Sequence, residues 1–104
     1  MRKLITTLLI VGLLAGIAAV AASATTPRVT WKVGASKTVK IHKGGTVKWV
    51  WTGDTTHNVK GPGFRSKFSS RKGHTYSHTF TKRGTFKIIC ETHPTTMKTI
   101  VKVS

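Results

Sequence analysis

The amino-acid sequence predicts an all-β protein, a Greek-key β-sandwich of about seven short strands that follows an N-terminal signal helix. Beyond residue 24, short runs alternate apolar and polar residues, a pattern typical of half-buried strands. Turn-forming segments such as Lys43-Gly44-Gly45 and Gly61-Pro62-Gly63 separate these runs at short intervals. No stretch of the same region has a long helical period, so strands are expected throughout it.

The first 24 residues have the pattern of an export signal. An Arg-Lys pair precedes an apolar stretch at residues 4–22, and Ala22-Ser23-Ala24 resembles an A-x-A cleavage site. The apolar stretch is also long enough to span a bilayer, so an uncleaved N-terminal anchor is the alternative. We predict an exported protein of the periplasm, the cell envelope or the extracellular space. Residues 25–104 would then form its one domain.

Three strands are predicted before the first long loop. Arg28 to Gly34 is rich in valine and tryptophan, and Lys37 to Ile41 follows as a second short strand. In the third, Thr46 to Trp51, the residues Val47, Trp49 and Trp51 share one face at period two. We expect the tryptophans of these strands to be core residues.

Three more strands follow a predicted loop over residues 61–73, which is rich in serine, lysine and arginine. Thr75 to Thr81 alternates polar and apolar residues, and Lys82-Arg83-Gly84 predicts a hairpin turn after it. Thr85 to Cys90 is the next strand, and the last runs from about Met97 to Val103.

A set of sulfur and imidazole side chains gives the strongest indication of function. Cys90 is the only cysteine of the chain, His93 and Met97 follow it closely, and His57 lies upstream. Two imidazoles and one thiolate with a weak thioether form the ligand set of a type 1 blue-copper site. A lone cysteine forms no internal disulfide, and a bound metal explains it while stabilising a small domain. We therefore predict one type 1 copper ion that alternates between Cu(I) and Cu(II).

Three segments resemble those of the plastocyanin/amicyanin-type cupredoxins, the small blue type 1 copper proteins. They are Trp49 to Val59, which contains a His-Asn pair, Thr79 to Phe86, and Cys90 to Pro94 followed by Met97. The resemblance extends over nearly all of residues 28–104 and implies a cupredoxin-like sandwich.

The resemblance also implies a role for each residue of the site. The equatorial ligands would be His57, Cys90 and His93, and the axial ligand would be Met97. Asn58 would point its backbone amide at the Cys90 sulfur and tie the two ligand loops together through its side chain. Three residues separate His93 from Met97, one more than in amicyanin-like loops and one fewer than in plastocyanin-like loops. Glu91 and Thr99 also depart from the family, which usually has a small hydroxyl residue and a glycine there.

The charge of the chain is strongly positive. The chain has eighteen lysines and arginines but only two acidic residues, which gives a formal net charge of +16. Such a surface favours acidic redox proteins as partners, with an anionic cell-envelope surface as a further candidate. Export argues against a specific nucleic-acid partner, and we expect a monomer. The alternative is that the charge only keeps a small domain soluble.

The predicted function is transfer of single electrons between redox partners, without enzymatic activity. No pair of carboxylates suited to acid–base catalysis is present, since Asp54 and Glu91 are the only acidic residues. Electrons would pass through the exposed edge of His93. The alternatives are an exported protein that binds or delivers copper without redox cycling, and a cationic cell-surface binding module.

Overall fold

The computed structural model describes residues 25–104, and the predicted signal helix and its cleavage site lie outside them. The described residues form eight strands joined by turns and loops. The strands are β1 (Arg28–Trp31), β2 (Ser36–Ile41), β3 (Thr46–Trp51), β4 (Lys60–Gly61), β5 (Phe64–Arg65), β6 (Thr75–Thr79), β7 (Gly84–Ile89) and β8 (Lys98–Val103). A search of these residues for a helix able to cross a membrane found none.

The strands form two sheets that pack face to face. The strand order is β1-β3-β6 in the three-stranded sheet and β2-β8-β7-β4-β5 in the five-stranded sheet. The pairs β1–β3 and β2–β8 are parallel, and the other pairs are antiparallel. Alternate residues of both sheets form one buried core between them. The predicted all-β sandwich is therefore confirmed.

The predicted loop over residues 61–73 contributes to a short antiparallel pair, β4 and β5. Gly61 is buried, and a Cβ at this position would lie 2.5 Å from ring carbons of Phe64. Gly63 turns the chain with a φ of 81°, a conformation that glycine adopts without strain. The Phe64 ring thereby folds over β4 and stacks on His78 at a centroid distance of 3.7 Å. The sequence predicted the turn, but turn residues do not reveal whether the arms of the turn pair.

The segment Lys82-Arg83-Gly84 is not a hairpin turn. Because β6 pairs with β3 whereas β7 pairs with β8 and β4, the chain crosses here from one sheet to the other. Phe80 is buried at the start of the crossing, where its backbone N–H donates to the carbonyl of Gly45 at 2.9 Å. The prediction was wrong because a period-two pattern assigns the faces of a strand but not its partners.

The tryptophans are buried, as predicted, and they also hold the segment that follows β3. Trp31 and Trp49 pack edge to face, with ring centroids 6.5 Å apart and planes at 72°. The indole N–H of Trp31 donates to the carbonyl of Asn58 at 2.9 Å. The indole N–H of Trp51 donates to the carbonyl of Ser69 at 2.9 Å. Strands β1 and β3 therefore hold two residues of the segment that contains His57: Asn58, which is next to it, and Ser69, which lies further along the chain.

Candidate metal centre

His57 is fixed by an isolated bridge to a distant part of the chain. Its backbone N–H donates to the carbonyl of Ser69, and the N–H of Ser69 donates back, both at 2.9 Å. The side chain of His57 is buried. Two backbone bonds, together with the bond from Trp31 to the carbonyl of the next residue, hold the backbone that carries the imidazole.

The other candidate ligands lie on the short loop between β7 and β8. The N–H of Cys90 donates to the carbonyl of Met97 at 3.3 Å, so the loop closes just beyond the paired strands. Within the loop, the N–H of His93 donates to the carbonyl of Cys90 at 3.2 Å, and the N–H of Met97 donates to that of His93 at 3.0 Å. These turns bring the imidazole of His93 back over the cysteine sulfur.

The cysteine sulfur and two imidazole nitrogens form a small triangle. Cys90 Sγ lies 3.7 Å from His57 Nδ1 and 3.8 Å from His93 Nδ1. Each of the three residues offers a ligand atom within 4.8 Å of the others. With bonds of about 2.0 Å to nitrogen and 2.3 Å to sulfur, as for zinc, a 120° angle gives a sulfur–nitrogen distance of about 3.7 Å. The triangle therefore fits a trigonally bound metal ion.

The protonation states of the site favour metal binding. Cys90 and His57 are buried, whereas His93 is partly exposed. Burial lowers the pKa of His57, and a positive charge on His93 would lower that pKa further. A neutral His57 is the form that binds a metal ion.

Thr92 is a residue of the site for which the sequence analysis assigned no role. Its Oγ1 lies 3.0 Å from Cys90 Sγ and 3.0 Å from His93 Nδ1, between the two candidate ligands of its own loop. The hydroxyl also donates to the carbonyl of Thr56 at 3.1 Å, next to His57. The sequence did contain a signal for Thr92. A hydroxyl residue directly before the histidine of a Cys-x-x-His motif is close enough to the cysteine to contact its sulfur.

Asn58 and Glu91 connect the two ligand-bearing segments. The N–H of Glu91 donates to Asn58 Oδ1 at 2.9 Å, and Asn58 Nδ2 donates to Glu91 Oε1 at 2.6 Å. The predicted link between the loops through the Asn58 side chain is thus confirmed. Arg65 Nε, 2.6 Å from the same oxygen, extends the link to β5. The bond from Arg65, followed by that from Asn58, lowers the pKa of the Glu91 carboxyl.

The structure brings together three of the four predicted site residues, His57, Cys90 and His93, by their ligand atoms. Met97 is fully buried at the end of the same loop, where its backbone closes the loop on Cys90. Its axial role stays a prediction, as does the orientation of the Asn58 amide toward the sulfur.

Comparison with known sequences identifies a family. A sequence model of the copper-binding proteins of the plastocyanin/azurin family matches residues 33–104. No curated protein matches the chain.

Solved structures of two kinds are similar to this chain. An oxidised mutant of amicyanin is 26% identical, with 81% of this chain and 89% of that chain covered and a TM-score of 0.65. A reduced amicyanin mutant is 27% identical with the same coverage and TM-score. A purple cupredoxin from Nitrosopumilus maritimus is 27% identical, with 64% and 77% covered and a TM-score of 0.58.

Proposed function

The chain belongs to the plastocyanin/azurin family of copper-binding proteins, and from this membership we propose that it is an exported carrier of single electrons. The family and the triangle of His57, Cys90 and His93 support one copper ion. We propose these three residues as equatorial ligands and Met97 as the axial ligand. The proposed protein is a monomer without enzymatic activity.

The observation that supports this proposal most directly is the trigonal spacing of one sulfur and two nitrogens. Copper bound by thiolate and imidazole can alternate between Cu(I) and Cu(II), because sulfur suits the reduced ion and nitrogen suits both. The Cys90 sulfur and the two imidazoles are already at separations of 3.7 and 3.8 Å. The protein therefore has little rearrangement to make when the charge at the site changes.

The surroundings of the ligands keep these separations fixed. The Ser69 bridge holds His57, and the turns between Cys90 and Met97 hold the short loop. Asn58 links the two segments through Glu91. Side chains locked by such hydrogen bonds and by packing preserve the geometry of a metal site in both oxidation states.

His93 is the proposed point of exchange with a partner. It is partly exposed, whereas His57 and Cys90 are buried, and the exposed residues Pro94, Thr95 and Thr96 follow it. A partner that contacts this loop approaches the copper ligands through one imidazole ring. The positive charge of the chain supports an acidic redox protein as the partner, with association that slows as salt is added.

Export is proposed from the signal pattern of residues 1–24 and would place the protein in the periplasm, the cell envelope or the extracellular space. A single free cysteine is compatible with such a compartment when its sulfur binds a metal ion.

The decisive experiment compares visible and EPR spectra of the Cu(II) protein with those of Cys90→Ser, followed by voltammetry. We expect an intense thiolate-to-copper band and narrow copper hyperfine splitting, both lost in the variant, and a reversible one-electron wave. One structural neighbour is a purple cupredoxin. The wavelength of the thiolate-to-copper band will therefore show whether this protein is blue or purple.

A pale spectrum unaffected by Cys90→Ser would refute the type 1 site. A coloured protein that oxidises slowly and passes copper to an acceptor apoprotein would instead support the copper-delivery function.

A further inference from the structure

The outer face of the five-stranded sheet carries an unusual concentration of positive charge. Its strands alternate between core and outer face, so the register decides which side chains lie together. Six basic residues point outward and form what we call the basic face: Lys40, Lys60, Arg65, Lys87, Lys98 and Lys102.

Two pairs of these residues are direct neighbours across strands. Lys40 of β2 is the register partner of Lys102 of β8, and Lys60 of β4 is the partner of Arg65 of β5. Like charges placed directly opposite each other destabilise a sheet. The stability of the sheet therefore does not explain the basic face, and a bound anionic surface would relieve the repulsion.

The carboxylates of the chain do little to neutralise this face. Among residues 25–104, the pair formed by Arg65 and Glu91 is the only ion pair. The other acidic residue, Asp54, lies in the turn after β3 of the three-stranded sheet. The four lysines that β2, β7 and β8 contribute to the basic face consequently have no acidic partner within the described part of the chain.

The outer face of the three-stranded sheet differs in composition. Arg28 and Lys48 are its basic residues, and they are neighbours in the register of β1 and β3. Most of the remaining outward positions are hydroxyl residues, among them Thr46 and Thr79, whose Oγ1 atoms are 2.7 Å apart. Of the two outer sheet faces, the basic face therefore carries most of the positive charge.

A groove joins the basic face to the candidate copper loop. It has a volume of about 510 Å³ and is lined by Lys60, Lys87 and Ile89 of the sheet and by Pro94 and Thr95 of the loop. Pro94 directly follows the partly exposed His93. A molecule seated on the basic face thus reaches the loop that we propose for electron exchange.

We propose that the basic face is the docking surface for an acidic redox protein, whose side chains enter the groove beside His93. This inference rests on the proposed electron-carrier function and adds to it the surface that the partner contacts. Opposite charges would steer the partner onto this sheet, and the groove would fix its position next to the copper loop. The protruding side chains of a protein partner can enter a groove, whereas the flat surface of a bilayer fits it poorly.

The test uses two double variants that change the net charge equally. Lys87→Glu/Lys102→Glu alters the basic face, and Arg28→Glu/Lys48→Glu alters the opposite sheet. Binding of an oligoglutamate peptide to the Cu(I) protein is followed by amide chemical shifts at low salt. We expect the first variant to lose about tenfold in affinity and the second less than about twofold. Peptide-induced shifts should concentrate on β7, β8 and the loop after Cys90.

Equal losses of peptide affinity in the two double variants would overturn the proposal, because the peptide would then respond to the net charge and not to the basic face. Binding to phosphatidylglycerol-containing vesicles, with none to the peptide, would also overturn it in favour of a lipid surface. Both double variants should keep the reversible copper wave. Absence of that wave in the unmodified protein would count against the electron carrier alone, since peptide binding is measured without redox cycling.

Discussion

The two segments that supply the candidate ligands are held in different ways. The loop from Cys90 to Met97 is short and is closed by hydrogen bonds between its own residues. The segment between β3 and β6 is long, and residues distant in sequence hold it, including Trp31 of β1 and Glu91 beyond β7. One half of the site is therefore a local structure, whereas the other depends on the assembled sandwich. Substitutions far from the copper should act mainly through the long segment.

Trp31→Ala is expected to have the largest effect. The substitution removes a fully buried ring and the N–H that donates to the carbonyl of Asn58. Replacing a buried tryptophan with alanine typically lowers the free energy of unfolding by about 3–5 kcal/mol. Guanidinium unfolding of the metal-free protein measures the loss, and Val33→Ala, at an exposed position, is the control. A loss no greater than that of the control would contradict the dependence of the long segment on β1.

Asn58→Ala tests the connection between the two segments. It removes the acceptor of the Glu91 N–H and one donor to the Glu91 carboxylate. Because Glu91 is partly exposed and water can replace the lost partner, we expect a smaller fall in the free energy of unfolding than for Trp31→Ala. We also expect altered copper hyperfine splitting, because the segment that carries His57 would lose its side-chain bonds to Glu91 of the Cys90 loop. An unchanged EPR spectrum would show that the two segments hold their ligands independently.

The stability of the metal-free protein should decrease in acid through His78. This imidazole stacks on Phe64 of the long segment, and burial lowers its pKa below the ordinary value of 6.5. The unfolded chain therefore takes up the proton first, and stability is lost as the pH falls below 6.5 toward the folded-state pKa. Denaturant midpoints for His78→Phe should change less between pH 7.5 and pH 5 than those of the unmodified protein. His42→Gln, at an exposed position, is the control.

Thr92→Val examines the short loop with the smallest expected change in stability. The hydroxyl lies 3.0 Å from the Cys90 sulfur and, by turning away from the Thr56 carbonyl, can donate its one hydrogen to the thiolate instead. Such a bond stabilises the more electron-rich reduced site, so its loss should lower the reduction potential measured by voltammetry. Thr92→Ser retains the hydroxyl and should restore the potential. If the reduction potential of the valine variant is unchanged, the hydroxyl donates only to the carbonyl of Thr56.

The same contrast explains what the sequence could predict. Cys90, His93 and Met97 were recognisable because their spacing is local, and His57 because it adjoins Asn58 in a strand-turn pattern. The alternation of apolar residues likewise predicted the sandwich. The pairing of β4 with β5 was missed because turn residues do not reveal whether the arms of a turn pair, and the crossing between β6 and β7 because a period-two pattern does not assign the partners of a strand. The Arg65–Glu91 pair joins β5 to the loop after β7, so no local pattern indicates it.

The parallel pairing of β2 with β8 has a consequence for how the chain acquires its fold. β8 lies between β2 and β7 in the five-stranded sheet, although it is the last strand to be synthesised. Until residues 98–103 leave the ribosome, β2 has no partner in its sheet and β7 lacks one of its two. Pairings over such long sequence separations form slowly, on the scale of milliseconds to seconds. The five-stranded sheet therefore cannot be completed until β8 has been synthesised.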